Sequence, residues 1–397
     1  MKIESVEVHN LHYRYPDDEV HRCAEGHMGS RLTTLVFVRC TGGVTGVGAA
    51  YTHPAVARLV IEGHLAPFLV GKDPARIEEL WATMYSLTRW YGRKGAAISA
   101  LGAIDVALWD IRGKLEDAPV YELLGGSSDE VTAYASGLLW QDDLALLQAE
   151  AKRHVDDGFG LMKMRLGRDA DYDRAAVDAV IGVIHGRARL AVDGTHRYSE
   201  EDAVMFAEFL AERDVAWFEE PFPPEDVEAY ARLRRTARVP VSAGENEFGV
   251  QGFRELFRIG AVDIAQPDAS RTGGISECRL IGTLAQQFGV EVVTHTWSDA
   301  VALIANAHVV AALKNGKAVE VDRTGCPFMD RLLVDPPDIR DGILHLGNRP
   351  GLGLEVDREL MLELELPAGE PVPPGNYADL VFGAQDYAAV ATKARTT

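Results

Sequence analysis

Nowhere in the chain do 18 apolar residues run together, so no segment reads as a membrane-spanning helix. The start, MKIESVEVHN, has no apolar core of signal-peptide length, and a soluble, cytoplasmic protein is expected. Cysteine is scarce. Cys23, Cys40, Cys278 and Cys326 lie far apart with no CxxC pair, which argues against a zinc knot or a disulfide framework and for reduced thiols. Positive charge is in short supply too: 40 Lys and Arg against 60 Asp and Glu leave a net charge of −20. Phosphates would be repelled, so neither nucleic acid nor an anionic membrane is an expected partner. If so acidic a protein handles an acidic small molecule, its site must gather positive charge locally.

What is present fits a globular enzyme. The 397 residues are 47% apolar and 25% charged, ordinary values for a folded domain. That length accommodates a barrel of about 250 residues with flanking pieces. Residues 2–9 alternate as a strand, and TTLVFVRC and GVTGVGAAY, joined through Thr41-Gly42-Gly43, read as a β-hairpin. The intervening HRCAEGHMGSR reads as a polar loop. From Ala55 to Leu124 the period becomes helical, ending in AAISALGAIDVALWDIRGKL, apolar nearly all round and expected to close at Gly125-Gly126. Strands followed by helices predict an α+β domain over 1–127, a boundary placed by the change of pattern alone. From Val131 strands and helices alternate, which predicts a (β/α) barrel of seven or eight units over 128–345. Residues 346–397, with the Pro-rich PAGEPVPPGNY, do not read as barrel units and are expected to return across the first domain.

Three stretches organise the barrel: LAVDGTH, AWFEEPF and VSAGENE. Each is a short apolar run, the pattern of a buried parallel strand, that ends in an acid. Those acids, Asp193, Glu219 and Glu245, stand 26 residues apart. Asp268, His295 and Glu320 follow at intervals of 23, 27 and 25 residues. One strand, one loop and one helix fill such an interval, so six successive units aim six titratable side chains at one rim. A lone acid would more often cap a helix or sit in a solvated loop. Three at equal spacing form an all-oxygen ligand set suited to Mg²⁺ or Mn²⁺, and the lack of Cys or His among them argues against zinc.

Lys163 and Arg165, two apart in GLMKMRLG, share one side of the second strand. Two cations buried against the helix layer would be very costly, so they are expected at the rim, supplying the local positive charge. His295 and Asp268 fall on adjacent strands, where a carboxylate accepting the Nδ1–H bond would orient the imidazole as a general base. Glu320 is placed to donate to a developing oxyanion if protonated, or to balance its charge.

WFEEP, AGENE, QPDASRTGG, the Lys-x-Arg of the second strand, the histidine of THTW and the late glutamate together resemble the mandelate racemase/muconate lactonizing enzyme branch of the enolase superfamily. The resemblance covers nearly the whole chain. It implies a TIM-type barrel with an N-terminal α+β capping domain. It also implies Mg²⁺ held by Asp193, Glu219 and Glu245, and removal of the proton α to a substrate carboxylate. The resulting enediolate would be stabilised by the metal and Glu320, and the regions Ala24–Arg31 and Tyr51–Arg58 would close the site. Symmetric homo-oligomers are common in this branch. Two positions depart from its pattern. A frequent second-strand lysine base is replaced by Arg165, which stays protonated, leaving Lys163 as the other candidate there. After Asp193 a frequent Asn is replaced by Thr195, with His196 beside it as a further acid or substrate contact. Thr195, His196, Asn246 and Trp297 are the candidate substrate-binding residues. With one clear base, the expected reaction is β-elimination of water from an acid sugar (an aldonate or aldarate) to a 2-keto-3-deoxy acid. The ending VEVDRTGCPF resembles that of sugar-acid lactone cycloisomerases, the alternative; an epimerase or racemase ranks third.

Overall fold

The computed structural model describes residues 1–23, 26–367 and 369–370, and the backbone of 376–377 and 380–381. Ala24 and Glu25 of the expected capping loop, and most of 371–397, lie outside the described residues.

Three antiparallel strands open the chain: Ile3–Arg14, Ser30–Cys40 and Thr45–Ala50, paired in that order. The middle strand is buried at every position but Arg39. Helix Ala96–Glu116 packs on Thr45–Ala50 so closely that a Cβ at Gly46 or Gly48 would lie 2.0 Å from the carbonyl oxygen of Ala107 or Ala103. Only glycine permits that approach. This helix does not reach Gly125-Gly126. It stops at Glu116, because Asp117 turns left-handed (φ 51°) and Pro119 cannot continue the ladder; a separate turn, Val120–Leu123, precedes the glycines. The expected polar loop also holds structure: His21–Cys23 pairs with Gly26–Met28, and Arg31 already belongs to the long strand.

The barrel strands are β1 (Glu130–Gly137), β2 (Leu161–Arg165), β3 (Arg189–Asp193), β4 (Phe218–Glu219), β5 (Val241–Ala243), β6 (Ile264–Ala265), β7 (Glu291–Thr294) and β8 (Gly316–Asp322). Neighbours pair in parallel, and β8 pairs with β1 from Val319↔Ala133 to Asp322↔Ser136, so the barrel closes with eight strands. Between them run α1 (Leu144–Asp156), α2 (Ala170–Ile184), α3 (Glu200–Ala211), α4 (Val227–Thr236), α5 (Gly249–Arg258), α6 (Gly274–Gln287) and α7 (Ala300–Ala312). Side chains of Tyr134, Ala191, Trp217, Ile264, Val293 and Ala318 pack together as a plug inside the strands. Layered side chains of this kind make a barrel centre solid, so chemistry belongs at the strand ends. The described C-terminal residues return to the first strand, where Leu364 O accepts from His12 N and Leu366 N donates to Asn10 O. Among the described residues no helix is long and apolar enough to cross a membrane.

Candidate active site

Asp193 and Glu219 are the last residues of β3 and β4, and Glu245 lies just beyond β5. Their ligating oxygens fall within 4.8 Å of one another. The protein fixes this set before anything binds. Glu219 Oε2 accepts from Trp217 Nε1 at 2.9 Å and Gln266 Nε2 at 2.6 Å. Asp193 Oδ1 accepts from Thr195 N at 2.8 Å. Glu245 Oε2 is buried without a hydrogen-bond partner. Burial raises the pKa of Asp193, with Glu219 and Glu245 adding to the rise against Arg165; burial likewise raises that of Glu245 despite His295 nearby. Clustered, desolvated carboxylates with an unsatisfied oxygen and no nitrogen or sulfur donor fit a hard divalent cation.

The two cations of β2 reach this rim. Lys163 Nζ stands 2.5 Å from Glu219 Oε1, 2.8 Å from Glu320 Oε1 and 4.0 Å from Asp193 Oδ2. Burial alone would lower its pKa, but Glu219 and Glu320 outweigh burial and raise it. Lys163 is thus held between two carboxylates, Glu219 and Glu320. Arg165 pairs with Asp193 and lies 4.8 Å over Trp297. Arg31 of the N-terminal domain lies 5.2 Å over the same indole and pairs with Asp322 at the end of β8. Burial would raise the Glu320 carboxyl, yet Lys163, His295 and Arg165 together hold it at about 2.

His295, one residue past β7, places Nδ1 2.8 Å from Asp268 Oδ2 and Nε2 3.7 Å from Glu245 Oε2. The imidazole thus has an orienting carboxylate behind it and the three-carboxylate cluster in front. Burial lowers its pKa, but Glu245 and the Asp268 hydrogen bond prevail and raise it overall. Tyr51 of the N-terminal domain covers the ring, stacked at 6.0 Å and 25°.

The remaining candidates separate into two kinds. Thr195 donates its hydroxyl to Leu166 O at 3.1 Å, so both its polar groups support the β2 and β3 ends. Asn246 donates to Glu220 Oε2 at 2.8 Å and accepts from Arg271 at 2.9 Å, tying the tops of β4, β5 and β6. His196 is partly exposed and paired through Nε2 with Glu220. Tyr51, over His295, and Arg31, over Trp297, belong to the two regions expected to close the site, whereas sequence reasoning missed Glu220, Arg271 and Asn306. The doubled acid of WFEEP was a visible signal for Glu220, and the arginine of SRTGG for Arg271. Nothing in the local pattern pointed to Asn306.

Family models match both parts of the chain: "Mandelate racemase / muconate lactonizing enzyme, N-terminal domain" over residues 6–125 and "Enolase C-terminal domain-like" over 146–360. The chain is 34% identical to the D-galactarolactone cycloisomerase of Agrobacterium fabrum, covering 92% of this chain and 100% of that protein. It is 32% identical to the arabinonate dehydratase of Saccharolobus solfataricus, covering 89% and 96%. A solved L-talarate dehydratase from Polaromonas sp. JS666, complexed with Mg and L-glucarate, superposes with a TM-score of 0.84 at 26% identity, covering 92% of this chain and 98% of that one. With both domains matched and the rim residues gathered in one site, the chain belongs to the mandelate racemase/muconate lactonizing enzyme branch of the enolase superfamily.

Proposed function

We propose that the protein catalyses β-elimination on the carboxylate of an acid sugar, with His295 as its single base. One observation carries this reading: His295 Nε2, the nitrogen opposite Asp268, faces the carboxylate cluster, 3.7 Å from Glu245. Asp193, Glu219 and Glu245 would hold the Mg²⁺, or Mn²⁺ in its place. Bound there, the ion supplies positive charge beside the substrate carboxylate, where negative charge builds up as the α-proton leaves. Arg165 and Lys163 add fixed positive charge, which an anionic substrate needs in a protein of net charge −20.

His295 takes the α-proton, and the C–H electron pair becomes the double bond between Cα and the carboxylate carbon of the enediolate. That pair then forms the Cα–Cβ double bond as the β C–O bond breaks, and the oxygen departs with its bonding pair. Proton return from the imidazolium to a departing hydroxyl releases water, and the enol tautomerises to a 2-keto-3-deoxy acid. Racemisation needs a competent group on each face, and the ammonium of Lys163 is committed to two carboxylates while Arg165 remains charged. Those facts favour elimination.

A second reading keeps every residue and changes the leaving group to the ring oxygen of a sugar-acid lactone. It is favoured by the full-length similarity to a galactarolactone cycloisomerase and by the VEVDRTGCPF segment. A lactone oxygen leaves as a carboxylate and needs no proton, which suits a site with one acid–base group. Proton NMR in D₂O with Mg²⁺ and a panel of aldonates, aldarates and their lactones tests both. C3 methylene signals of a 2-keto-3-deoxy acid are expected; formation from open-chain acids marks a dehydratase, and formation from lactones alone marks a cycloisomerase. No conversion anywhere in the panel would overturn the acid-sugar reading.

A further inference from the structure

Helix α7 reads AVALIANAHVVAA, and it is buried along almost its whole length. Within it one amide, that of Asn306, has no exposed surface and makes four hydrogen bonds. Its Nδ2 donates to Asp268 Oδ1 at 2.9 Å, to His295 O at 3.1 Å and to Thr296 Oγ1 at 3.0 Å. Its Oδ1 accepts from Ala269 N at 2.8 Å. Thr296 in turn donates its backbone N–H to Glu320 Oε2 at 2.9 Å. One side chain therefore spans the ends of β6, β7 and β8 and touches, directly or through one residue, Asp268, His295 and Glu320.

The bonding around Asp268 explains why this matters. Oδ1 accepts from Ser270 N at 2.8 Å, Ser270 Oγ at 2.7 Å and Asn306 Nδ2, which saturates it. That leaves Oδ2 as the oxygen that meets His295 Nδ1. A carboxylate fixed in this way keeps the Nδ1–H tautomer of the imidazole, so the lone pair sits on Nε2, facing the cluster. Of the other two contacts of Nδ2, one holds the backbone carbonyl of His295 and the other the side-chain hydroxyl of Thr296.

We propose that Asn306 is the positioning residue of the His295–Asp268 dyad, setting the carboxylate rotamer and the register between β6 and β7 from outside the substrate site. It rests on the β-elimination reading for its kinetic consequence, but not for its spectroscopic one. The isosteric Asn306→Asp keeps the shape and the acceptor for Ala269 N while removing both donor protons, and it sets an oxygen against Asp268 Oδ1. Asn306→Ser keeps one donor and one acceptor and is the milder partner should the first variant fail to fold.

The test is proton NMR of ¹⁵N-histidine-labelled protein for the downfield His295 Nδ1–H resonance, alongside kcat, KM and Mg²⁺ affinity. Asn306→Asp is expected to move or broaden that resonance and lower kcat about 10–100-fold, the usual cost of an outer hydrogen-bond partner. KM and Mg²⁺ affinity are expected to stay near wild type, with Asn306→Ser between the two proteins. A wild-type resonance and kcat in either folded variant would overturn the proposal. So would a loss of Mg²⁺ affinity in step with kcat, which marks a merely structural role. If the wild type turns over no acid sugar, the substrate reading fails while the resonance still judges Asn306.

Discussion

Lys163 and Glu320, on β2 and β8, meet in the barrel at 2.8 Å with neither side chain more than 1% exposed. The same ammonium reaches Glu219, one of the three clustered carboxylates, at 2.5 Å. A buried pair is costly to break from one side, because the surviving charge keeps no partner; the loss is about 3–5 kcal/mol. Lys163→Met is expected to lower the unfolding free energy by about that amount. Chemical denaturation of the metal-free protein at neutral pH measures it. A change under about 1 kcal/mol would mean that these carboxylates are neutral in the folded state.

The dyad gives a separable prediction. Removing the imidazole removes proton transfer but none of the three clustered carboxylates. His295→Asn is expected to lower kcat by about 10²–10⁴-fold, the usual contribution of a positioned acid–base group. Calorimetric titration should find its Mg²⁺ affinity close to wild type. Activity near normal would require the proton to go elsewhere, to His196 or a water.

Metal removal should be visible in stability as well as in turnover. Asp193, Glu219 and Glu245 repel one another across less than 4.8 Å when no cation is present. Free Mg²⁺ at about 100 times its Kd adds about 3 kcal/mol to stability by mass action, on top of restoring activity after chelation. Mn²⁺ is expected to substitute, since the donor set is oxygen throughout. Glu245→Gln should weaken Mg²⁺ by more than about tenfold, as loss of an anionic ligand exceeds loss of an outer hydrogen bond. An Mg²⁺-independent unfolding midpoint in the wild type would remove the metal from the proposal.

These contacts differ in how readable they were. Asp193, Glu219 and Glu245 could be read from the chain because each ends an apolar run, and the repeat length turns that position into a place on the rim. Lys163 and Arg165 were readable as rim cations from their spacing. Which carboxylates Lys163 would meet was not, because its contact with Glu320 depends on β8 closing against β1. Asn306 was hidden for a related reason. A single amide in an apolar helix reads as a tolerated core polar group, and its partners come from two loops distant in sequence. Tyr51 reaches His295 only through the packing of one domain on the other. The end of helix Ala96–Glu116 was misjudged because the Gly-Gly pair outweighed Pro119, which stops the helix earlier.

His308, two residues beyond Asn306 on α7, links three parts of the molecule and should make stability depend on pH. Its Nδ1 accepts from Tyr121 N at 3.0 Å, so in the folded state this nitrogen carries no proton. Nε2 donates to Leu352 O at 3.2 Å, and the ring stacks on Tyr121 at 5.7 Å. Burial pushes its pKa down from 6.5 to about 4, the Leu352 carbonyl opposing only in part. Between those two values the unfolded chain binds a proton here and the folded chain does not, so acid favours unfolding. The contribution is fully present above pH 6.5 and is lost progressively as pH falls toward 4. From pH 7 to pH 5 the loss is about 2 kcal/mol. His308→Gln cannot take up that proton, so urea unfolding of the two proteins should show the wild type losing about 2 kcal/mol more than the variant over this range. Parallel pH dependences would mean that His308 is already protonated in the folded protein and that Tyr121 N bonds elsewhere.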